Sequence, residues 1–246
     1  MHKNSLNQPI GFPLENWQVC EHPRGSHLQG RLCTLEPVNP DRHSVDLFEA
    51  FSRDLDSSDW TYLPYGPFID LVEFQNWIEA TCLGDDPCFF TIIDLDTAKA
   101  AGVASFLRIA ASTGVIEVGH IHFSPLIQGS AISTEVMYLM MKLVFEDLGY
   151  RRYEWKCDAL NAPSCAAAKR LGFEFEGIFR QATIYKLRNR DTAWYSVIDK
   201  EWPVIKQVFE HWLSSDNFDA DGKQRSSLSQ SMHQARIRKT SYVGWV

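Results

Sequence analysis

The sequence predicts an α/β (α+β) chain with a mixed central sheet of about seven strands flanked by helices. The run V-I-E-V-G-H-I-H-F-S-P at 115–125 is apolar and β-branched, which is typical of a strand that ends at a proline. Small and polar residues follow at 128–135, and a helical period of apolar residues comes next: Val136, Leu139, Met140, Leu143, Val144 and Leu148. The strand-like R-Y-E-W-K-C at 152–157 completes a βαβ unit.

The remaining elements follow from the same patterns. Before this unit the sequence predicts a strand at 30–37, a helix from Asp41 to about Arg53, a helix starting at Asp70, and strands at 88–95 and 103–109. After it we expect a helix at 161–173, a long strand to Leu187, a turn at 188–191, a strand at 192–198 and a helix at 202–213. The predicted order is therefore β-α-α-β-β-β-α-β-α-β-β.

Length and composition favour one domain with a peripheral segment at each end. A chain of 246 residues that is 45% hydrophobic and 13% aromatic can fill one full core. We assign 1–28 to an N-terminal arm, 29–214 to the domain and 215–246 to a C-terminal tail. The end of the tail is basic and rich in serine, which favours a disordered segment over a docking element, and we expect it to add little to the core.

Charge and residue usage argue against several classes of protein. Nucleic-acid binders normally show a basic face, and the net charge of −7 argues against that class. No apolar run approaches the length of a membrane-spanning helix. The N-terminus lacks the apolar region of a secretory signal. Six cysteines without a C-x-x-C pair suggest neither a zinc site nor a disulfide framework. We therefore expect a cytoplasmic protein without a metal, a nucleic-acid partner or a membrane partner.

The turn between the first strand and helix of the βαβ unit has the properties of an anion site. Ser133 or Thr134 can cap the helix, and the side chains before them are small enough for a phosphate to approach the backbone. Backbone N–H groups at a helix start have no helical acceptor, and the macrodipole adds partial positive charge there. Strand–turn–helix units are common, so this turn alone does not establish phosphate binding.

Five motifs in order resemble the Gcn5-related N-acetyltransferase (GNAT) superfamily, and within it the ribosomal-protein-alanine acetyltransferase (RimJ/RimL-like) type. The likeness covers roughly residues 30 to 213. The matching stretches are E-V-G-H-I-H-F-S-P, Q-G-S-A-I-S-T-E, L-G-Y-R-R-Y, N-A-P-S-x₄-K-R-L-G-F, and E-G-I-F-R followed by R-N-R-D-T. The resemblance implies the acyl-CoA N-acyltransferase fold and acetyl-CoA as co-substrate.

The resemblance also implies where acetyl-CoA binds. Its pyrophosphate would meet the backbone of the loop Gln128, Gly129, Ser130, Ala131, Ile132 and Ser133, and its pantetheine arm would pair with Ile121, His122 and Phe123. Asn161 and Ser164, at the start of the next helix, would face the same ligand. The loop departs from the family pattern, because Ala131 stands where glycine is usual and would be strained at a positive φ.

Four residues are candidates for proton transfer. Relatives often place a carboxylate at the position of Glu117 to act on the amine, although a strand-edge salt bridge is equally ordinary there. His120 and His122 lie on the same strand and could serve as the base or simply pack. Many relatives place a tyrosine near Ala168 to protonate the thiolate; its absence makes Ser164 the candidate donor, unless Ser164 only caps its helix.

An aromatic loop is the candidate wall for the acceptor. Trp60, Tyr62, Tyr65 and Phe68 follow the first helix, and aromatic faces suit a cationic amine, although core packing explains some of them equally well. We predict an acetyl-CoA-dependent N-acetyltransferase, monomeric or homodimeric, acting on a protein N-terminus or a small-molecule amine. The alternative is a CoA-binding regulatory protein that keeps the fold with weak or no catalysis.

Overall fold

The computed structural model describes residues 2–242, with side chains through residue 237. The strands are β1 (His2–Lys3), β2 (Pro9–Ile10), β3 (Leu28–Gln29), β4 (Cys33–Pro37), β5 (Cys88–Asp94), β6 (Lys99–Ala110), β7 (Val115–Phe123), β8 (Arg152–Asp158), β9 (Glu174–Tyr185) and β10 (Arg188–Ile198). The helices are α1 (Pro40–Phe51), α2 (Leu71–Thr81), α3 (Ala131–Lys142), α4 (Ala162–Arg170), α5 (Trp202–Leu213) and α6 (Leu228–Tyr242). Short 3₁₀ turns lie at Ser58–Trp60 and Ser215–Asn217, and a π-helical turn at Leu143–Asp147 extends α3.

Eight strands form one mixed sheet in the order β3-β4-β5-β6-β7-β8-β10-β9. All neighbours are antiparallel except β7 and β8, which the crossover helix α3 joins in parallel. The predicted fold class and order of elements are confirmed. The strand beyond the expected seven is β3, whose two residues pair with Leu35 and Thr34.

Several predicted element ends are wrong because a neighbouring residue caps or turns the chain. Asn39 caps α1 in place of Asp41, and Ser130 caps α3 in place of Ser133 or Thr134. The turn expected at 188–191 belongs to β10, because Lys186 and Leu187 adopt positive φ angles of 47° and 59° and reverse the chain earlier. This early reversal extends β10 far enough to bring Arg190 into the sheet.

The parallel pair β7–β8 separates halfway along its length. Pairing covers Val115–Val118 with Arg152–Trp155 and then stops. Within residues 2–242, β7 beyond that point pairs only with β6, and β8 only with β10. One edge of β7 from Gly119 onward therefore keeps backbone groups that no neighbouring strand uses.

Two hydrophobic clusters hold the helices on the sheet. The larger cluster joins the central strands to α3, α5 and the start of α6, with Phe106, Met140, Tyr153 and Phe209 fully buried. The smaller cluster joins α1 and α2 to the sheet through Leu47, Phe51, Phe74 and Ile78, among others. Burial of these faces provides the main favourable free energy of folding.

The terminal segments pack against the domain. In the arm, the Trp17 indole donates to the carbonyl of Ser112 at 2.8 Å, and β1 and β2 form a separate small hairpin. The tail is not a disordered segment over its described part, because α6 buries Leu228 and Met232 in the larger cluster. The low overall hydrophobicity of the tail concealed these two anchors.

No helix in residues 2–242 is long and apolar enough to cross a membrane. Within the same range, no group of three or more His, Cys, Asp or Glu side chains is arranged to hold a metal ion.

Candidate active site

A cleft of about 330 Å³ opens where β7 and β8 separate. We call it the splay cleft. Its floor comes from β7 and β8, one wall from the loop before α2, and the other from α4 and the β9–β10 hairpin. The residues that line it and bear polar groups include Asp59, Tyr62, Arg108, Glu117, His120, Lys156, Asp158, Asn161, Ser164, Tyr185 and Arg190.

Glu117 lies on the floor of the splay cleft between two cations. Its Oε1 is 2.7 Å from Arg108 Nη1, and its Oε2 is 2.8 Å from Lys156 Nζ. Lys156 also lies 2.7 Å from Glu154, which stands directly opposite Glu117 in the parallel register. A buried lysine between two carboxylates offsets the repulsion between them and satisfies its own charge.

The two histidines of β7 have different environments. His120 lines the splay cleft, adopts a positive φ of 49°, and has its Nδ1 3.1 Å from the Tyr65 hydroxyl. Burial, together with the positive charges of Arg108 and Arg190, lowers the pKa of His120 to about 4. His120 is therefore a neutral imidazole near neutral pH.

His122 is a core residue and cannot reach an acceptor. Its ring stacks on Phe51 with centroids 3.9 Å apart, and Trp60 packs edge-on against it. Neither ring nitrogen has a hydrogen-bond partner among the described residues, and burial lowers the pKa of His122 to about 3. The prediction of His122 as a possible base is therefore wrong.

The aromatic loop divides into core and cleft residues. Trp60 is 5% exposed within the smaller cluster, so its assignment to the acceptor wall is wrong. Tyr65 is not among the residues that line the splay cleft, and its hydroxyl contacts the lining residue His120. Tyr62 lines the cleft and donates from its hydroxyl to the carbonyl of Leu160 at 3.1 Å, which ties this wall to α4.

Ser164 lies on the first turn of α4 at the inner end of the splay cleft. Asn161 caps α4 by accepting from the Ser164 backbone N–H at 3.1 Å, so Ser164 is not the helix cap. The Trp155 indole donates to Ser164 Oγ at 3.0 Å, an interaction that uses a lone pair of the hydroxyl and not its hydrogen. Ala168, at the position where the resemblance implies a tyrosine, is fully buried in the larger cluster.

A second cavity, of about 770 Å³, lies beyond Trp155, which lines both spaces. We call it the loop cavity. It is bounded by the loop at 128–133, the exposed side of α4 and the chain after α5. Phe123 of β7 also lines it, so the edge of β7 runs from one cavity to the other.

The loop at 128–133 is built for close approach of a ligand to its backbone. Gly129 adopts a φ of +66°, and a Cβ built there would meet no atom within 4 Å. The N–H groups of Gln128 and Ser130 are used inside the turn, on the carbonyls of Ser124 and Ile127. The N–H groups of Gly129, Ala131 and Ile132, at the positive end of α3, have no acceptor among the described residues. Ala131 belongs to the helix and is not among the described residues with positive φ, so the strain expected there is absent.

Sequence reasoning missed the cations of the splay cleft. Arg108, Lys156 and Arg190 come from three different strands, and only the pairing register brings them together. One feature of the sequence could have indicated Lys156: it alternates with apolar residues on β8 and shares one face of that strand with Arg152, Glu154 and Asp158.

Comparison with known proteins agrees with this geometry. The family model described as an acetyltransferase (GNAT) domain matches residues 33–174. The crystal structure of a GCN5-related N-acetyltransferase from Brucella melitensis is 44% identical, with a TM-score of 0.87 over 89% of this chain and 100% of that one. A probable GNAT acetyltransferase from Chromobacterium violaceum ATCC 12472 is 38% identical, with a TM-score of 0.74 over 80% of this chain and 98% of that one.

A curated relative gives the same class. The uncharacterized N-acetyltransferase p20 of Bacillus licheniformis is 25% identical over 144 residues, which are 57% of this chain and 80% of that protein. Because the family model covers more than half of the chain, this protein belongs to the GNAT family and is an N-acetyltransferase.

Proposed function

We propose that this protein transfers the acetyl group of acetyl-CoA to a primary amine, with Glu117 accepting the amine proton and Ser164 protonating the leaving thiolate. The separation of β7 from β8 is the observation that most supports the proposal. It leaves a free backbone edge between the loop cavity and the splay cleft, with Trp155 at their junction.

Acetyl-CoA fits the arrangement from the loop cavity inward. The pyrophosphate would be held by the N–H groups of Gly129, Ala131 and Ile132, where the α3 dipole favours an anion. The pantetheine arm would follow the free edge of β7 from Phe123 to Ile121, whose backbone groups lack a strand partner on that side. By this route the thioester end would reach Ser164 and Glu117.

Glu117 is placed to receive a cationic amine. Arg108 holds Oε1 of Glu117, yet 62% of its side chain is exposed, so it can withdraw into solvent at low cost. An incoming ammonium would take its place on the carboxylate and pass its proton to it in the desolvated cleft. Lys156 is only 8% exposed and stays in position on the other oxygen.

His120 is the second candidate for the proton. The imidazole is neutral and lines the same cleft, so it can accept a hydrogen bond from an amine. Protonation of His120 would, however, place a buried positive charge beside Arg108 and Arg190, whereas the carboxylate of Glu117 can pair with the ammonium before it takes the proton. We therefore propose that Glu117 accepts the amine proton and that His120 positions the amine by accepting a hydrogen bond from it.

The acceptor would be a protein N-terminus or a small-molecule amine that reaches a partly covered cleft. The β9–β10 hairpin is tied to the aromatic loop, where Lys186 Nζ donates to the Trp60 carbonyl at 2.7 Å. A narrow entrance of this kind admits an extended chain end or a small molecule. Substrates of the ribosomal-protein type are one such class, and the resemblance in the motifs favours testing them first.

A regulatory protein with weak catalysis is the second candidate. It is favoured by the two ion pairs on Glu117 and by Ala168 in place of tyrosine. Release of free CoA, measured with peptides bearing different N-termini, amino acids and polyamines, separates the two. Acetyl-CoA-dependent release with at least one amine class supports the transferase; binding of acetyl-CoA without release from any of them supports the regulatory protein.

A further inference from the structure

The third wall of the loop cavity comes from the chain that follows α5. We call residues 217–229 the C-terminal clamp. Its lining residues are Phe218, Gly222, Lys223, Gln224 and Ser229, and they face the loop at 128–133 across the cavity. The expected domain ended at 214, so the clamp lies outside the stretch in which the sequence predicted any role in binding.

The clamp is held in one conformation by a buried amide. The Asn217 side chain donates to the Trp212 carbonyl at 2.8 Å and accepts from both the N–H and the hydroxyl of Ser226. The Trp212 indole in turn donates to the Gln224 side chain and the Ser226 carbonyl, both at 3.0 Å. Satisfied buried polar groups of this kind order a loop, and Leu228 then anchors it in the core.

The charged groups facing the loop cavity are all cations. Among the described residues that line it, the charged side chains are Arg170 of α4 and Lys223 of the clamp. Arg170 is fixed by its Nη2, which donates to Thr134 Oγ1 at 3.0 Å, and by the Trp212 ring, whose centroid is 5.3 Å from Cζ. Within the part of the chain that the structure describes, Arg170 forms no ion pair, and its burial lowers its pKa.

A half-buried guanidinium without a carboxylate is costly unless an anion meets it. The positive end of α3 adds to the same field. The clamp contains two acidic side chains, Asp219 and Asp221, and neither is among the lining residues. Asp219 accepts the backbone N–H groups of Asp221 and Lys223 within the clamp's own turn. The cavity therefore favours an anion beside Arg170 and Lys223 in addition to one at the N–H groups of the loop.

We propose that Lys223, together with Arg170, binds the phosphate on the ribose of acetyl-CoA, and that the C-terminal clamp is part of the binding site. The inference rests on the proposed function, because it takes acetyl-CoA as the ligand. The nucleotide end of CoA bears two separate anions, a pyrophosphate and a phosphate monoester on the ribose. The loop at 128–133 offers N–H groups to the first, and the two cations serve the second.

Calorimetric titration of the full-length protein with CoA and with dephospho-CoA, which lacks only the ribose phosphate, tests the proposal. We expect the wild type to bind CoA about tenfold or more tightly than dephospho-CoA, the usual effect of a charge-assisted hydrogen bond. Lys223→Gln should weaken CoA binding about tenfold and leave dephospho-CoA binding unchanged. Lys169→Gln is the matched control, because Lys169 is exposed on α4 and is not among the lining residues.

Two results would overturn the inference while leaving the proposed function intact. One is equal wild-type affinity for the two ligands. The other is a Lys223→Gln protein that keeps the full preference for CoA or loses the same factor for both ligands. Failure of the wild type to bind either ligand would overturn the proposed function as well, so the two failures are distinguishable.

Discussion

Lys156 Nζ lies 2.8 Å from Oε2 of Glu117, and both side chains are almost fully buried. Lys156 also holds Glu154 at 2.7 Å, so removal of Glu117 still leaves it one carboxylate. The pair therefore fixes one oxygen of Glu117 from inside the protein. The other oxygen faces Arg108, whose side chain is largely exposed, and this asymmetry directs the exchangeable side of the carboxylate into the splay cleft.

If Glu117 accepts the amine proton, Glu117→Gln should reduce turnover by about 10²–10⁴-fold, the usual contribution of a positioned acid or base. Acetyl-CoA binding should persist, because the amide is nearly isosteric and the loop cavity is not altered. The loss should shrink as pH rises, because more of the amine then arrives already deprotonated. Steady-state rates between pH 6 and 10 measure both effects.

Glu154→Gln is the matched control for Glu117→Gln. It removes the other carboxylate partner of Lys156, but Glu154 is not among the residues that line the splay cleft. Both substitutions remove a buried charge and should lower the melting temperature. The steady-state rates, and not the melting temperatures, therefore show whether Glu117 takes part in proton transfer. Equal rates for the two variants would mean that Glu117 only balances the charge of Lys156 and that His120 accepts the amine proton.

The fold was predictable because its periodicities are long and mutually consistent. The apolar alternation of the strands and the helical period of α3 each depend on many residues, so single exceptions do not alter them. Helix starts were less predictable, since Asn39 and Asp41, or Ser130 and Ser133, are all acceptable caps by residue type. Only the backbone conformation selects between such neighbours.

The site was predictable only where one segment supplies it. The sequence singled out the loop at 128–133, Glu117 and Ser164, which line the two cavities, because each lies in a local motif. The roles of His120 and His122 could not be separated, because their difference depends on a register shift against β6 and on the positive φ of His120. Lys223 was missed for a related reason, since its position depends on how the chain after α5 folds back.

Gly129 tests the position of the pyrophosphate. Acetyl-CoA at about 100 times its Kd should stabilise the wild type by ~2.7 kcal/mol, because it binds only the native state. Gly129→Glu should remove most of this gain, because its side chain would project into the open space next to the loop and repel the phosphates. Thermal unfolding with and without ligand measures the gain.

Gly129→Ala is the control for backbone strain. Its φ of +66° costs alanine about 1 kcal/mol or more in the free protein, yet its methyl group meets no atom within 4 Å. The ligand-induced gain should therefore largely survive in Gly129→Ala. A full gain in Gly129→Glu would exclude the loop as the pyrophosphate site.

Leu228 tests whether the C-terminal clamp is anchored in the core. Its side chain is 1% exposed, so Leu228→Ala should destabilise the protein by about 2–5 kcal/mol, the range for buried leucines. Leu160→Ala, at a position that is 79% exposed, should change the unfolding free energy by less than about 0.5 kcal/mol. Urea unfolding of both variants makes the comparison. Equal, small effects would mean that the clamp is dispensable for folding.

His122 should make stability depend on pH. Its folded pKa of about 3 lies below the ordinary value of 6.5, so between these values the unfolded chain binds the extra proton. The contribution of His122 to the free energy of unfolding is therefore fully present above about pH 6.5. It falls as pH decreases, by about 2 kcal/mol at pH 5 from His122 alone.

His122→Phe should keep the stack on Phe51 and remove two buried nitrogens without partners in the described residues. Urea unfolding at pH 7 and pH 5 should show a loss about 2 kcal/mol smaller in this variant than in the wild type. His211→Gln, at an exposed site on α5, should keep the wild-type loss. An unchanged loss in His122→Phe would mean that other groups, such as His120, cause the whole dependence.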